Sequence, residues 1–260
     1  MLGAIVGDIV GSIYEFENHK SKEFPLFQEE SFFTDDSVLT CATALAILDG
    51  ANYGDLYRIV GLSYPDAGYG GMFIHWLIDD TKGPYDSFGN GSAMRVSPVG
   101  WAFDSVAEVL DAAKNSAEVT HNHVEGIKGA QATALAILRA RSGHSQDEIL
   151  LEVAERFEYD MSVPVSRLRE FYDFDVTCQG TVPQAIRCFF EADDFEDAIR
   201  NAISIGGDSD TLAAITGSIA EATFGIPDTI ANTAYERLDE PLADIVSRFY
   251  QHYIPKQRFC

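Results

Sequence analysis

Residues 36–49, Asp-Ser-Val-Leu-Thr-Cys-Ala-Thr-Ala-Leu-Ala-Ile-Leu-Asp, are apolar on nearly every side of a helical projection and read as a buried helix. Upstream, residues 1–14 place Gly3, Gly7 and Gly11 four apart on one helical face, with Ile5, Val6, Ile9 and Val10 around them. Glycine weakens a helix, so three on one face predict close backbone packing against another element. Downstream, the small-residue segment 210–224 reads as a further helix stopped by Gly225 and Pro227. Residues 104–117, 124–141, 145–158, 182–192, 194–204 and 239–252 also carry helical periodicity. No series of alternating segments bounded by hairpin turns marks strands. The stretches 15–35, 63–71 and 79–100 are rich in glycine and polar residues and read as loops. No low-complexity linker divides the chain, so one all-α domain over 1–260 is expected.

Composition narrows the function classes. With 260 residues and 46% apolar content, the chain has enough material for a substantial core. Its 18 basic and 41 acidic residues leave a net charge of −23, which argues against general binding to nucleic-acid backbones. A small anion held by backbone N–H groups or a metal stays compatible with that charge. The N-terminus lacks a basic stretch, and Asp8 breaks its apolar run, so no signal peptide is expected. No apolar run is long enough to span a bilayer. Cys41, Cys178, Cys188 and Cys260 lack metal-binding spacing and a disulfide framework. A cytoplasmic protein with reduced cysteines is the expectation.

Two acidic clusters adjoin the apolar segments: Thr34-Asp35-Asp36-Ser37 and Asp208-Ser209-Asp210-Thr211. Thr34 suits a helix cap, and Asp35 and Asp36 suit the positive end of the helix dipole. The same capping reading is open to Asp208 or Ser209. Capping needs one oxygen per helix, however, and crowded carboxylates beside buried helices repel and lose solvation. A shared hard cation such as magnesium or manganese, which takes oxygen ligands, accounts for both clusters together.

Other segments are ambiguous singly. Gly206-Gly207 before the second cluster permits a tight turn at a helix start. Asp66-Ala-Gly68-Tyr-Gly70-Gly71 could wrap a diphosphate, although it lacks a P-loop lysine and serves equally as a flexible turn. In 86–97, Gly89-Asn90-Gly91 admits unusual backbone angles, and Phe88 offers a flat face to a base or sugar. Arg95 would seek a phosphate or carboxylate, or form a structural salt bridge. His121 and His123, two apart, would diverge on a helix, one facing a ligand and the other serving as cap or core. Glu15 alone passes for a surface glutamate.

Together these segments resemble the ADP-ribosylglycohydrolase family. The resemblance rests on Gly-Asp-Ile-Val-Gly-Ser-Ile-Tyr-Glu (7–15), Thr-Asp-Asp-Ser (34–37), Gly-Asn-Gly-Ser-Ala-Met-Arg (89–95), Thr-His-Asn-His (120–123) and Gly-Gly-Asp-Ser-Asp-Thr (206–211). It spans residues 7 to 211 and extends to the dinitrogenase reductase-activating glycohydrolase and serine-ADP-ribose hydrolase branches, which the chain resembles. It implies a compact orthogonal helical domain with a binuclear metal site in a central cleft, holding two magnesium ions or, in some members, manganese. Metal ligands would fall on Thr34, Asp35, Asp36, Asp208, Asp210 and Thr211. Glu15 matches the glutamate beside the metals. Asp66, Gly68, Gly70 and Gly71 match a loop near the diphosphate and distal ribose. Ser87, Phe88, Gly89 and His121 match contacts to diphosphate, adenosine or ribose. Ser37 stands where many members carry Thr, and the chain is shorter than most characterised members.

The expected chemistry is hydrolysis at C1 of the distal ribose, which releases ADP-ribose from a protein side chain or a small ADP-ribosyl compound. Glu15, Asp35 and Asp36 are the candidate catalytic residues, with Glu15 as general acid, base or gate. A monomer that binds no membrane is expected. The competing readings are a two-metal phosphodiesterase or nucleotide hydrolase and a non-catalytic ADP-ribose-binding relative.

Overall fold

The computed structural model describes residues 1–254, and Cys260 lies outside them. The chain begins with α1 (Leu2–Gly11), α2 (Asp35–Asp49), α3 (Tyr53–Ser63), α4 (Gly71–Ile78), α5 (Gly91–Met94) and α6 (Ser97–Ala102). It continues through α7 (Val106–Glu118), α8 (Val124–Arg141), α9 (Gln146–Phe157), α10 (Val165–Phe171) and α11 (Cys178–Phe190). The last elements are α12 (Phe195–Ser204), α13 (Ser209–Phe224), α14 (Asp228–Tyr235) and α15 (Glu240–Tyr253). No strand forms among the described residues, where Gly89 and Thr177 make an isolated antiparallel bridge. The fold is all-α, as expected.

The axis of the molecule is the contact between α1 and α13. Every residue of α1 is buried, and its glycine face lies directly on the α13 backbone. A Cβ at Gly3 would overlap the Gly217 carbonyl, one at Gly7 the Ala213 carbonyl, and one at Gly11 the Asp210 backbone. Each glycine costs its helix about 0.5–1 kcal/mol relative to alanine. That cost is offset by bringing two backbones into contact, which places the start of α13 beside the end of α1. α2 packs on α1 and α13 in turn, and α5 touches α2 and α13. The acidic ends of α2 and α13 therefore meet at one junction.

Local chemistry explains the ends of the elements. Ser105 and Glu108 close a capping box on α7, and Ser145 and Glu148 close another on α9. Gly50, at φ +61°, ends α2 in the left-handed conformation. Two expectations need correction. The stretch 79–100 is not all loop: α5 and most of α6 fall in it, and Pro98 sits in the first turn of α6, where a missing N–H is harmless. α11 begins at Cys178 rather than 182, because the Thr177 hydroxyl accepts from Gly180 N and caps a turn that precedes Pro183. Helices α3, α4, α10 and α14 add to those read from periodicity.

Cys41, Cys178 and Cys188 are buried free thiols. Among the described residues no helix is long and apolar enough to cross a membrane.

Candidate active site

The first acidic cluster is organised by a residue outside it. Asp8, on α1, is fully buried and turned to the start of α2. It accepts from Thr34 N at 2.9 Å, Thr34 Oγ1 at 2.6 Å and Ser37 N at 3.0 Å, and also from Ser37 Oγ. Two of these donors are backbone N–H groups at the positive end of a helix, where a carboxylate is favoured. Thr34 Oγ1 in turn accepts from Asp36 N at 3.3 Å, so Thr34 caps α2 as its position suggests. Ser37 is an anchor to Asp8. The Asp35 and Asp36 carboxylates are thereby left for other work.

The second cluster is held differently. Gly206 and Gly207 take φ of +69° and +83°, conformations open to glycine, and turn the chain into α13. Asn18 accepts the Gly207 N–H. Asp208 makes no cap hydrogen bond. Its Oδ2 accepts from Asn90 Nδ2 at 2.7 Å, and the same Nδ2 reaches Thr181 Oγ1 at 3.0 Å.

The two clusters touch. Thr211 Oγ1 donates to Asp36 Oδ2 at 3.2 Å. Glu15, Asp208 and Asp210 each place one carboxylate oxygen within 4.8 Å of the others. Burial, then the charges of Asp210 and Asp8, raises Asp35 and Asp36 well above the usual carboxylate range. Burial and Asp208 do the same to Asp210. Burial raises Asp208 and Asp8 as well, against the hydrogen bonds that favour their charged forms. Half-buried Glu15 is raised to about 7 by desolvation, then by Asp210 and Asp8. Asp36 Oδ1 is buried with no hydrogen-bond partner. Crowded, desolvated carboxyl groups that lack a counter-charge, with one orphaned buried oxygen, make a group that could hold a hard cation.

Two loops border this group. Ala67 O accepts from Asp35 N at 2.8 Å, which lays the 66–71 loop over the start of α2. Gly68, at φ +101°, faces Asp35: a Cβ there would stand 3.6 Å from Oδ1. Space around Gly70 and Gly71 is open, whereas Asp66 is exposed and does not join the carboxylates. The 87–91 turn reaches Asp208 through Asn90. Ser87 is buried and its hydroxyl accepts from Gly89 N at 3.1 Å, while Phe88 is exposed and meets the His123 ring edge-on at 5.3 Å.

Three readings of this region change. Gly89 and Gly91 do not use left-handed angles. They leave room for His121, whose Nε2 would lie 3.5 and 3.1 Å from a Cβ at each. The two histidines precede α8 instead of riding on a helix: His123 Nδ1 caps it by accepting from Glu125 N, and His121 is buried beside the turn. Arg95 forms neither a salt bridge nor a surface anion site. It is fully buried, stacked 4.1 Å over Tyr57, and donates to Ser116 O and Thr120 Oγ1.

Asp8 and Asn90 were missed as site residues. The signal for Asp8 was a lone acid in a glycine-faced apolar helix, and the signal for Asn90 was its place between two glycines. A separate cavity of about 580 Å³, between α8, α10 and α11, includes none of the carboxylates described above.

Residues 1–258 match the family model for ADP-ribosylglycohydrolase. An ADP-ribosylhydrolase ARH3 from Mus musculus is 28% identical over 306 positions, covering 87% of this chain and 83% of the relative. An uncharacterized protein from Archaeoglobus fulgidus is 32% identical over 194 positions, 68% of this chain and 62% of that one. A solved structure described as an ADP-ribosylglycohydrolase-related protein complex shares the fold, with TM-score 0.71 at 23% identity over 96% of both chains.

Proposed function

This chain belongs to the ADP-ribosylglycohydrolase family, and on that premise we propose that it is a metal-dependent hydrolase releasing ADP-ribose from a modified protein side chain or a small ADP-ribosyl compound. The carrying observation is the junction of α2 and α13, where Thr211 bonds to Asp36 and buried acids from both helices face one another. Thr34, Asp35, Asp36, Asp208, Asp210 and Thr211 would hold two magnesium ions, with manganese as the alternative. Such ions supply Lewis-acid charge that offsets the carboxylates and orients ribose hydroxyls.

The chain's own residues account for the remaining requirements. Cleavage at C1 develops positive charge on the ribose ring, and the surrounding carboxylates favour that charge. Glu15, raised to about 7 in the metal-free protein by desolvation and then by Asp210 and Asp8, is the candidate general acid, base or gate beside the ions. The open backbone at Gly68, Gly70 and Gly71 lets N–H groups approach a diphosphate, with Asp66 at the edge of that loop. Ser87, Gly89 and His121 line the next turn, and exposed Phe88 offers a face for adenine or ribose. We take the chain to act as one domain, as a cytoplasmic monomer.

Neutralising one acid from each cluster tests this reading. Asp35→Asn and Asp208→Asn should each abolish magnesium-dependent release of ADP-ribose, with helical circular dichroism unchanged. Near-normal turnover in either variant would overturn the shared site, and AMP as product would indicate attack on the diphosphate instead. A panel of substrates differing only in linkage identifies the leaving group.

A further inference from the structure

Arg95 puts a guanidinium in the core with no carboxylate to meet it. Its Nε and Nη1 have no hydrogen-bond partner, and its face rests on Tyr57. A charge so placed is costly and calls for a reason. Its one contact toward the site is Nη2 to Thr120 Oγ1, at 2.8 Å. Thr120 Oγ1 then lies 2.7 Å from His121 Nδ1.

The donor inventory gives this chain a direction. A guanidinium can only donate, so the Thr120 oxygen accepts from Arg95. The threonine's own proton then has two acceptors within reach, His121 Nδ1 and the Tyr85 phenol oxygen, and the 2.7 Å approach to Nδ1 points it at the ring. An imidazole whose Nδ1 accepts carries its proton on Nε2. Nε2 is the nitrogen that faces the glycine turn, 3.1 Å from where a Cβ at Gly91 would stand. We propose that Arg95 and Thr120 are positioning residues that lock His121 as the Nε2–H tautomer and aim that donor at an oxygen acceptor seated on the Gly89–Gly91 turn. Arg95 polarises the Thr120 hydroxyl, which strengthens the bond that selects the tautomer. Burial and the Arg95 charge also hold His121 well below its ordinary pKa, so the ring acts as a neutral donor.

That the acceptor belongs to ADP-ribose rests on the proposed function, whereas the tautomer does not. Both are read separately. Long-range ¹H–¹⁵N NMR of histidine-labelled protein should show His121 as Nε2–H in the wild type and in Thr120→Ser. Thr120→Val, which keeps the shape but not the hydroxyl, should release the ring to a mixture of tautomers. It should also weaken calorimetric ADP-ribose binding by about tenfold, the loss of one hydrogen bond, and leave magnesium binding unchanged. The Tyr85 phenol also neighbours Thr120. If it takes the threonine proton, the wild-type ring will appear as Nδ1–H, and the relay is overturned. An unchanged tautomer in Thr120→Val overturns it equally. Should the tautomers behave as expected while the wild type fails to bind ADP-ribose, the ligand assignment falls and the relay stands.

Discussion

At the start of α2, Thr34 caps the helix and a buried carboxylate from α1 accepts hydrogen bonds from the backbone and the hydroxyls of both Thr34 and Ser37. At the start of α13 no side chain caps the helix, two left-handed glycines make the turn, and one amide from Asn90 holds Asp208. The clusters look alike in sequence, yet one is fixed by a buried ionic anchor and the other by backbone conformation. The anchor lets Asp35 and Asp36 present oxygens without spending them on the helix end. At α13 the N-cap residue Asp208 makes no cap bond and is left to face the site, while Asp210 Oδ1 accepts from Thr211 N at 2.9 Å. Similar composition thus conceals two ways of keeping carboxylates available next to apolar helices.

Removing each anchor measures the difference. Asp8→Ala should be the more damaging change: Thr34 and Ser37 lose their shared acceptor, and two N–H groups at a buried helix end are orphaned. Partners that orient metal ligands typically contribute 10–100-fold to affinity, and roughly 100-fold weaker magnesium binding by calorimetry is expected here, with a clear drop in melting temperature. Asn90→Ala removes one hydrogen bond from Asp208, while the glycine turn keeps the backbone in place. About tenfold weaker magnesium binding, with little change in melting temperature, is the expected result. If Asn90→Ala equals or exceeds Asp8→Ala, the turn does not hold the second cluster and the contrast fails.

The contrast also explains what could be read from the sequence. The glycine spacing at 3, 7 and 11 required a backbone partner, and α13 is that partner. Thr34 and the paired acids follow local rules that hold whatever packs around them. Asp8 was invisible as an anchor because its partners lie at positions 34 and 37, a pairing set by how α1 crosses α2. Arg95 escaped for a related reason. Its charge suggested an ion pair, but stacking on Tyr57 and the bond to Thr120 depend on helices that converge only in the fold. Short helices inside the glycine-rich 79–100 stretch were hidden because one or two turns carry too few residues to show a period.

Titration of Glu15 gives the smallest and most selective probe, because it borders the loosely held cluster at Asp208 and Asp210. Its pKa in the folded protein, about 7, lies above the ordinary unfolded value near 4.3. The metal-free native state therefore binds a proton that the unfolded chain has released. The resulting stability is complete below the unfolded value and is lost as pH rises through the folded one. With a chelator present, the melting temperature should fall between pH 5.5 and pH 8. Net negative charge across the whole protein contributes to that fall, so the informative quantity is the difference from Glu15→Gln. Removing the titrating group should flatten the slope by an amount on the order of 2 °C, small because Glu15 is half-exposed and screened. Saturating magnesium should remove the difference, since a cation favours the charged carboxylates and binds more tightly as they lose protons. A wild-type slope identical to that of Glu15→Gln in chelator would mean that neither desolvation nor the charges of Asp210 and Asp8 raise Glu15, and the acid–base role proposed for it would lose its electrostatic basis.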